Sequence, residues 1–411
     1  MTLKVGIVAG EPSGDRLGAD LLRALKRETE VTSVGIGGSE LCAEGLRSLV
    51  SLEELTMHGF AEPLRRLPFL WQTLKRVEEQ VLDEQADVFV GVDFNVFNLL
   101  LEGRLKRRGV PVVHYVSPSV YAWRRGRTRR VARSADVLLT LFPFEPPLYA
   151  GEPLRAVFVG HPLADQIQRS DVRPQTSDDA SSDLTGQRSI SATLTARAEA
   201  RASLGLAGSD AVVTLMPGSR MSEIRMMLPA FLRASVLLRA QMGHPSSVKF
   251  LLPCVTNEVE LSIKNALQNP DFKALDIRLE RDRSRELLAA SDAALIKSGT
   301  STLEAMLLGV PMVVAYRLPE ITYRIVKPML RSRYVALPNI LAGEALVPEL
   351  LQYEMQPAAL AQALLAQLNE DNTLHVRRRF LEIHGQLQQG ASANAAREVL
   401  TLANQRKRSA K

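Results

Sequence analysis

The chain has 411 residues, of which 46% are hydrophobic and 23% charged, and its 51 Lys and Arg against 45 Asp and Glu leave a formal net charge of +6. That composition excludes a disordered or collagen-like chain, and the length exceeds one ordinary core, so two domains are expected. The mild basic excess favours anionic partners such as nucleotides, phosphorylated lipids or a bilayer surface, without choosing among them.

The first element, "LKVGIVAG", is soon interrupted by Glu11 and Asp15, which reads as a core strand and not a signal peptide. It precedes a helix at "GDRLGADLLRALKRE". "ADVFVGVD" then precedes "FNLLLEGRLKRRG", and "VPVVHYVS", "ADVLLTLFPFE" and "AVFVGHPLAD" follow. These strands are continuous apolar runs, as expected of parallel sheets buried on both faces. A Rossmann-like, acceptor-side domain is expected over 1–167, and a polar insertion or linker, rich in Ser, Thr, Asp and Arg, over 168–198. The pattern restarts with "AVVTLMPGSR", "VKFLLPCV", "ALDIRLE" and "DAALIKSG", giving a second doubly wound domain over 199–345, followed by a helical tail over 346–411. That tail is expected to pack on the N-terminal half or on a partner subunit. The fold class read from this order is α/β, with two doubly wound domains facing a cleft. Cys42 and Cys254 lie in no metal-ligand spacing, which fits a reducing compartment. No run nears the roughly 18 apolar residues of a membrane-spanning helix, so a cytoplasmic protein with peripheral membrane contact is expected.

Two junctions suit an anion. In "LIKSGTSTLEAMLLGVPMVVAY" a strand ending at Lys297 meets a turn of Ser298, Gly299 and Thr300 and then a helix. Free backbone N–H groups and the helix dipole would face a ligand there, although capping by Ser298 or Thr300 alone also accounts for the pattern. Glu304, in the first turn, either compensates the dipole or accepts hydrogen bonds from a ribose diol. In "LMPGSRMSEI", Gly218 permits close backbone approach and Arg220 offers a fork of donors for a diphosphate. In the N-terminal half, "GEPSGDRLG" lacks the dinucleotide fingerprint, and Glu11 and Asp15 suit sugar hydroxyls better than phosphates.

"GEPSGD", "HYVSPSVYAWR", "PFE", "FVGHPLAD", "MPGSR", "SGTSTLEAMLLGVPMVVAY" and "LPNILAGEALVPELLQ" occur in this order. Together they resemble the lipid-A-disaccharide synthase family of metal-independent, inverting GT-B glycosyltransferases. The resemblance implies coupling of UDP-2,3-diacylglucosamine to 2,3-diacylglucosamine 1-phosphate with release of UDP, without cofactor or metal. It implies that Arg220, Glu304 and Asn339 line the UDP site. It also implies that Glu11, Ser13, Gly14 and Asp15 line the acceptor side, and that the C-terminal helices can be exchanged in a homodimer. One stretch departs from the family pattern Asp-x-Pro-Asp-Phe-Asn. Here it reads "DFNVFN", with Asn95 at the Pro and Val96 at the second Asp.

Asp93 is therefore the best remaining general base, with His161 in reserve. "FAEPLRRLPFLWQTLKR" sets Phe60, Leu64, Leu67, Phe69, Leu70 and Trp71 among basic residues, which suits contact with an anionic membrane at the inner face of the inner membrane. An ordinary core helix is the alternative there. For the whole chain, the rival readings are a UDP-sugar 2-epimerase and a non-catalytic lipid or nucleotide binder.

Overall fold

The computed structural model describes residues 2–57, 67–118, 126–167, 195–242, 248–329 and 332–409. The chain forms two compact units, Met1–Asp165 with Leu387–Lys411, and Gln166–Gln386.

The first unit contains β1 (Leu3–Ala9), α1 (Pro12–Glu28), β2 (Val31–Gly37), α2 (Ser39–Ala43), β3 (Leu46–Ser51), α3 (Leu52–Met57), α4 (Leu67–Asp83) and β4 (Val88–Val92). It continues with α5 (Asn95–Arg107), β5 (Val112–Tyr115), α6 (Gly126–Ser134), β6 (Val137–Thr140), β7 (Arg155–Phe158) and α7 (Pro162–Gln166) at its boundary. Its seven strands are all parallel, in the order β3-β2-β1-β4-β5-β6-β7. Every residue of β4, β5 and β6 is buried, because helices cover both faces. On one face Ile7, Val90 and Leu139 meet Leu21 and Leu25 of α1. On the other, Val8, Phe89 and Val112 meet Val77 of α4 and Leu101 of α5.

The second unit holds α8 (195–203), β8 (Ala211–Met216), α9 (Met221–Gln241), β9 (Val248–Cys254), α10 (Asn257–Leu267), β10 (Asp276–Arg281), α11 (Ser284–Ala289) and β11 (Ala293–Lys297). Then come α12 (Thr300–Leu307), β12 (Met312–Tyr316), α13 (Glu320–Val326), α14 (Leu337–Ala342), β13 (Glu349–Leu351), α15 (Pro357–Gln367) and α16 (Glu370–Leu387). Its six strands are parallel, in the order β10-β9-β8-β11-β12-β13.

The tail expected over 346–411 is divided. β13 completes the second sheet, and Leu360, Ala361 and Leu364 of α15 bury into the core of the second unit. Only α17 (Ala391–Ser409) returns to the first unit, where Ala395, Ala396, Val399 and Ala403 join the core beside α1. Its first turn is held by Asp165, whose carboxylate accepts from the amides of Gly390 at 3.0 Å and Ala391 at 2.6 Å. Most of the stretch expected as an insertion, 168–194, lies outside the described residues. Residues 195–198 already belong to α8, which Arg201 anchors through Asp292 at 2.6 Å and the Ala290 carbonyl at 2.9 Å.

Candidate active site

In a doubly wound sheet the crevice lies at the carboxyl ends of the strands, where the strand order reverses. That point falls between β1 and β4 in the first sheet and between β8 and β11 in the second.

In the first unit β1 gives way to Gly10, where a Cβ would meet the Phe94 ring at 2.2 Å. Glu11 and Ser13 follow, both exposed at the start of α1. Half-buried Asp93 follows the last residue of β4. Asp93, Phe94 and Val116 have φ of 48°, 45° and 83°, half of the six non-glycine residues with positive φ among those described. For β-branched Val116 this conformation costs on the order of 1–3 kcal/mol, and such strain collects at functional edges. Buried Asn98 ties the edge together, its Nδ2 lying 3.2 Å from the Val8 carbonyl, 3.3 Å from that of Val92 and 2.9 Å from that of Asp93.

Asp93 does not stand alone. Its Oδ1 accepts from Asn95 Nδ2 at 3.0 Å, Asn95 Oδ1 faces His114 Nε2 at 3.3 Å, and His114 Nδ1 meets Glu102 Oε1 at 2.7 Å. His114 and Glu102 are both fully buried. Burial pushes the Asp93 carboxyl above its ordinary range, with the His114 charge opposing. Burial by itself would pull His114 down, but the Glu102 and Asp93 carboxylates outweigh it and push the imidazole up.

Asp15 and His161 take other roles than expected. The buried Asp15 carboxylate accepts from the amides of Gly38 at 2.6 Å, Glu40 at 3.0 Å and Leu41 at 3.2 Å, so it caps α2 and does not face a ligand. Gly14 is buried against the Val92 carbonyl, which a Cβ would approach to 3.4 Å, so its part is packing. His161 is buried beside Phe142, and its Nδ1 accepts from the Leu163 amide at 3.1 Å. The neutral ring then carries its proton on Nε2, and burial lowers its pKa to about 4. A ring so held can donate a hydrogen bond but is a poor base.

In the second unit the pairing of β8 with β11 brings the two anion-suited junctions side by side. Gly299 is the N-cap of α12 with no side-chain cap, so the alternative of capping by Ser298 or Thr300 does not hold. Ser298 Oγ instead lies 3.4 Å from the Val335 carbonyl, and Gly299 and Thr300 are exposed. Arg220 precedes α9 with an exposed side chain. The Glu223 carboxylate accepts from the amides of Ser219 at 3.1 Å and Arg220 at 3.4 Å, and pairs with Lys297 Nζ at 3.0 Å. Burial opposes its ionisation, but Lys297 and these amides outweigh burial and hold it below the usual carboxylate range.

Glu304 is the fifth residue of α12, one turn deeper than expected, and its Oε1 meets Arg285 Nε at 3.1 Å. Asn339 is not brought to the site. It is 1% exposed; its Nδ2 donates to the Val347 carbonyl at 2.9 Å and to Glu349 Oε1 at 2.8 Å, while its Oδ1 accepts from the Val347 amide at 2.8 Å. The amide therefore ties α14, the helix of "LPNILAG", to the segment that leads into β13.

The model of the lipid-A-disaccharide synthetase family matches residues 5–400. The chain belongs to this family. The lipid-A-disaccharide synthase of Azotobacter vinelandii is 41% identical over 404 residues, covering 98% of each chain. That of Pseudomonas paraeruginosa is 42% identical over 405 residues, covering 98% of this chain and 99% of its own. Among solved structures, MurG of Acinetobacter baumannii superposes with a TM-score of 0.56 at 13% identity, covering 97% of this chain and 99% of that one. UDP-GlcNAc 2-epimerase of Neisseria meningitidis, solved with UDP-GlcNAc, gives 0.56 at 10% identity, covering 98% and 100%. The GT-B architecture is thus established, and membership in the synthase family sets the epimerase reading aside.

Against the family pattern, Val96 is 76% exposed in the first turn of α5, with Leu100, 44% exposed, one turn on. Arg104, a further turn on, stacks over Trp71 of α4 at 5.1 Å from the ring centroid. Trp71 and Phe69 are 47% and 37% exposed, whereas Leu70 packs against the core. Phe60 and Leu64 lie outside the described residues, as does the Leu67 side chain. No helix among the described residues is long and apolar enough to cross a membrane.

Proposed function

We propose that this glycosyltransferase forms the lipid A disaccharide by joining UDP-2,3-diacylglucosamine to 2,3-diacylglucosamine 1-phosphate through a β-1,6 bond. The observation that carries this reading is the family match over 5–400, joined to a carboxylate at the switch point of the first sheet and a cationic junction at that of the second.

In this reading the second unit takes the UDP-sugar. Arg220, Lys297 and the uncapped amides at Gly299 and Thr300 receive the diphosphate, Ser298 borders it, and Glu304 leaves Arg285 to grip the ribose. In the first unit Glu11 and Ser13 bind acceptor hydroxyls. Asp93 takes the proton from the acceptor 6-hydroxyl as its oxygen bonds to the donor anomeric carbon. The bond from that carbon to the diphosphate breaks with inversion, and UDP leaves with the electron pair. Phe69, Trp71, Val96 and Leu100 supply apolar surface for acyl chains and an anionic bilayer at the inner face of the inner membrane. A homodimer with exchanged C-terminal helices would reuse the surfaces through which α17 packs on α1, and light scattering decides its presence.

The test is turnover of the two lipid substrates, read as disaccharide by mass and as UDP released. Asp93→Asn keeps the shape and removes the basicity, so kcat is expected to fall by roughly 10²–10⁴ with UDP affinity unchanged. Normal turnover by Asp93→Asn would overturn the assignment of the base.

A further inference from the structure

We infer that the buried pair Glu102–His114, acting through the Asn95 amide, is the positioning device of the acceptor-side carboxylate, and that Glu102, His114 and Asn95 are positioning residues of the transfer reaction. The inference rests on Asp93 as the base and adds what holds it.

The hydrogen-bond directions decide the arrangement. Asn95 presents its amide nitrogen to Asp93 Oδ1 at 3.0 Å, so its carbonyl oxygen must face His114 Nε2, 3.3 Å away. An oxygen there needs a proton on Nε2. The other ring nitrogen lies 2.7 Å from Glu102 Oε1, which needs a proton on Nδ1 when Glu102 is ionised. Both conditions are met by an imidazolium between two carboxylates, in which His114 opposes the burial that pushes the Glu102 carboxyl up; a protonated Glu102 would donate to Nδ1 and leave the same proton on Nε2. The titratable groups acting on the ring are Glu102 from α5 and Asp93 from the end of β4, and the group acting on Asp93 is His114.

The fold makes room for this pair. A Cβ at Gly91 would stand 2.0 Å from Glu102 Oε1, so the glycine of β4 leaves the space that the carboxylate fills. A buried ion pair of this kind is a weak source of stability but a strong constraint on geometry. The constraint runs to the reacting edge. With Oδ1 occupied by Asn95, the carboxylate is held in one rotamer at the strand end, and the cation behind Asn95 opposes the rise that burial imposes on its pKa.

The experiment compares wild type, Glu102→Gln and Asn95→Ala. Long-range 1H–15N spectra of the imidazoles, with His114→Gln to assign the signal, are expected to show His114 titrating at least about one pH unit lower in Glu102→Gln. In turnover, both variants are expected to lose about tenfold in kcat at unchanged donor KM, with the acid limb of the kcat profile moved up by about one pH unit. A merely structural role would lower kcat without moving that limb. Asn95 is half-buried in the first turn of α5, so Asn95→Ala decides the matter should Glu102→Gln not fold. A His114 titration indifferent to Glu102, or an Asn95→Ala profile superimposable on wild type, overturns the inference. Normal turnover by Asp93→Asn would remove the base and leave the spectroscopic result standing, so the two failures are distinguishable.

Discussion

The Glu223 carboxylate and the Lys297 ammonium meet at 3.0 Å, at the point where β8 and β11 part. The same carboxylate accepts from the Ser219 and Arg220 amides, so an internal anion holds the partners that a diphosphate would use. Glu223→Gln keeps the shape and removes the like charge. UDP affinity is expected to rise roughly fivefold, about 1 kcal/mol. Weaker binding in this variant would show that Glu223 orients Lys297 for the ligand and does not compete with it.

Two side chains of the proposed donor site are tested by truncation. Arg220→Ala and Glu304→Ala each remove one charge-assisted contact to UDP, worth roughly 1.5–3 kcal/mol. Calorimetric titration is expected to show that loss in both. Unchanged affinity in both would refute the second unit as the donor side.

Asp15 and Asn339 are expected to act on stability and leave the nucleotide alone. Asp15→Ala strands three backbone amides at the start of α2, and Asn339→Ala removes three hydrogen bonds beneath β13. Each is expected to cost about 3 kcal/mol or more in urea unfolding, with the UDP affinity of the folded fraction unchanged.

Glu145 gives a pH dependence with a definite sign. It is 3% exposed, and burial pushes its pKa up to about 8, against the opposing amides of Phe142 and Leu141. Between its ordinary value of 4.5 and about 8 the native state holds a proton that the unfolded state has lost. Its contribution to stability is full below that window and declines as pH rises through it. Glu145→Gln is neutral throughout, so unfolding free energies measured from pH 5 to 9 are expected to fall less steeply than in wild type. Parallel curves would show that Glu145 ionises in the native state.

The exposed apolar residues of α4 separate surface from core. Phe69→Ser with Trp71→Ser is expected to reduce sedimentation with anionic vesicles and to leave the melting temperature nearly unchanged. Leu70→Ser, which cuts into the core, is expected to lower it. Undiminished vesicle binding by the double variant would place the membrane contact elsewhere.

Much of the architecture is legible in the sequence by itself. "ADVFVGVD" and "DAALIKSG" carry the continuous apolar signal of strands buried on both faces, and the turns after them place Asp93 and Ser298 at strand ends. Arg220 and Glu304 are legible as candidate donor-site side chains, Arg220 from its motif after β8 and Glu304 from the helix that follows β11. Lys297, also at a strand end, could have been added on that ground. The rest depended on packing. Asp15 sits in the most recognisable motif of the first half, yet its carboxylate turns inward to accept from the amides at the start of a short neighbouring helix. Asn339 has the composition of a ligand contact and spends its amide on Val347 and Glu349. Glu102 reads as one charge on a helix, and nothing local relates it to His114 twelve residues on. The period of a segment tells which face is buried, but the partner of a buried polar group is set by strands and helices that meet only when the sheet closes. The glycine of β4 that admits Glu102, the strand ends turned at Asp93 and Val116, and the amide of Asn95 become one device only in three dimensions.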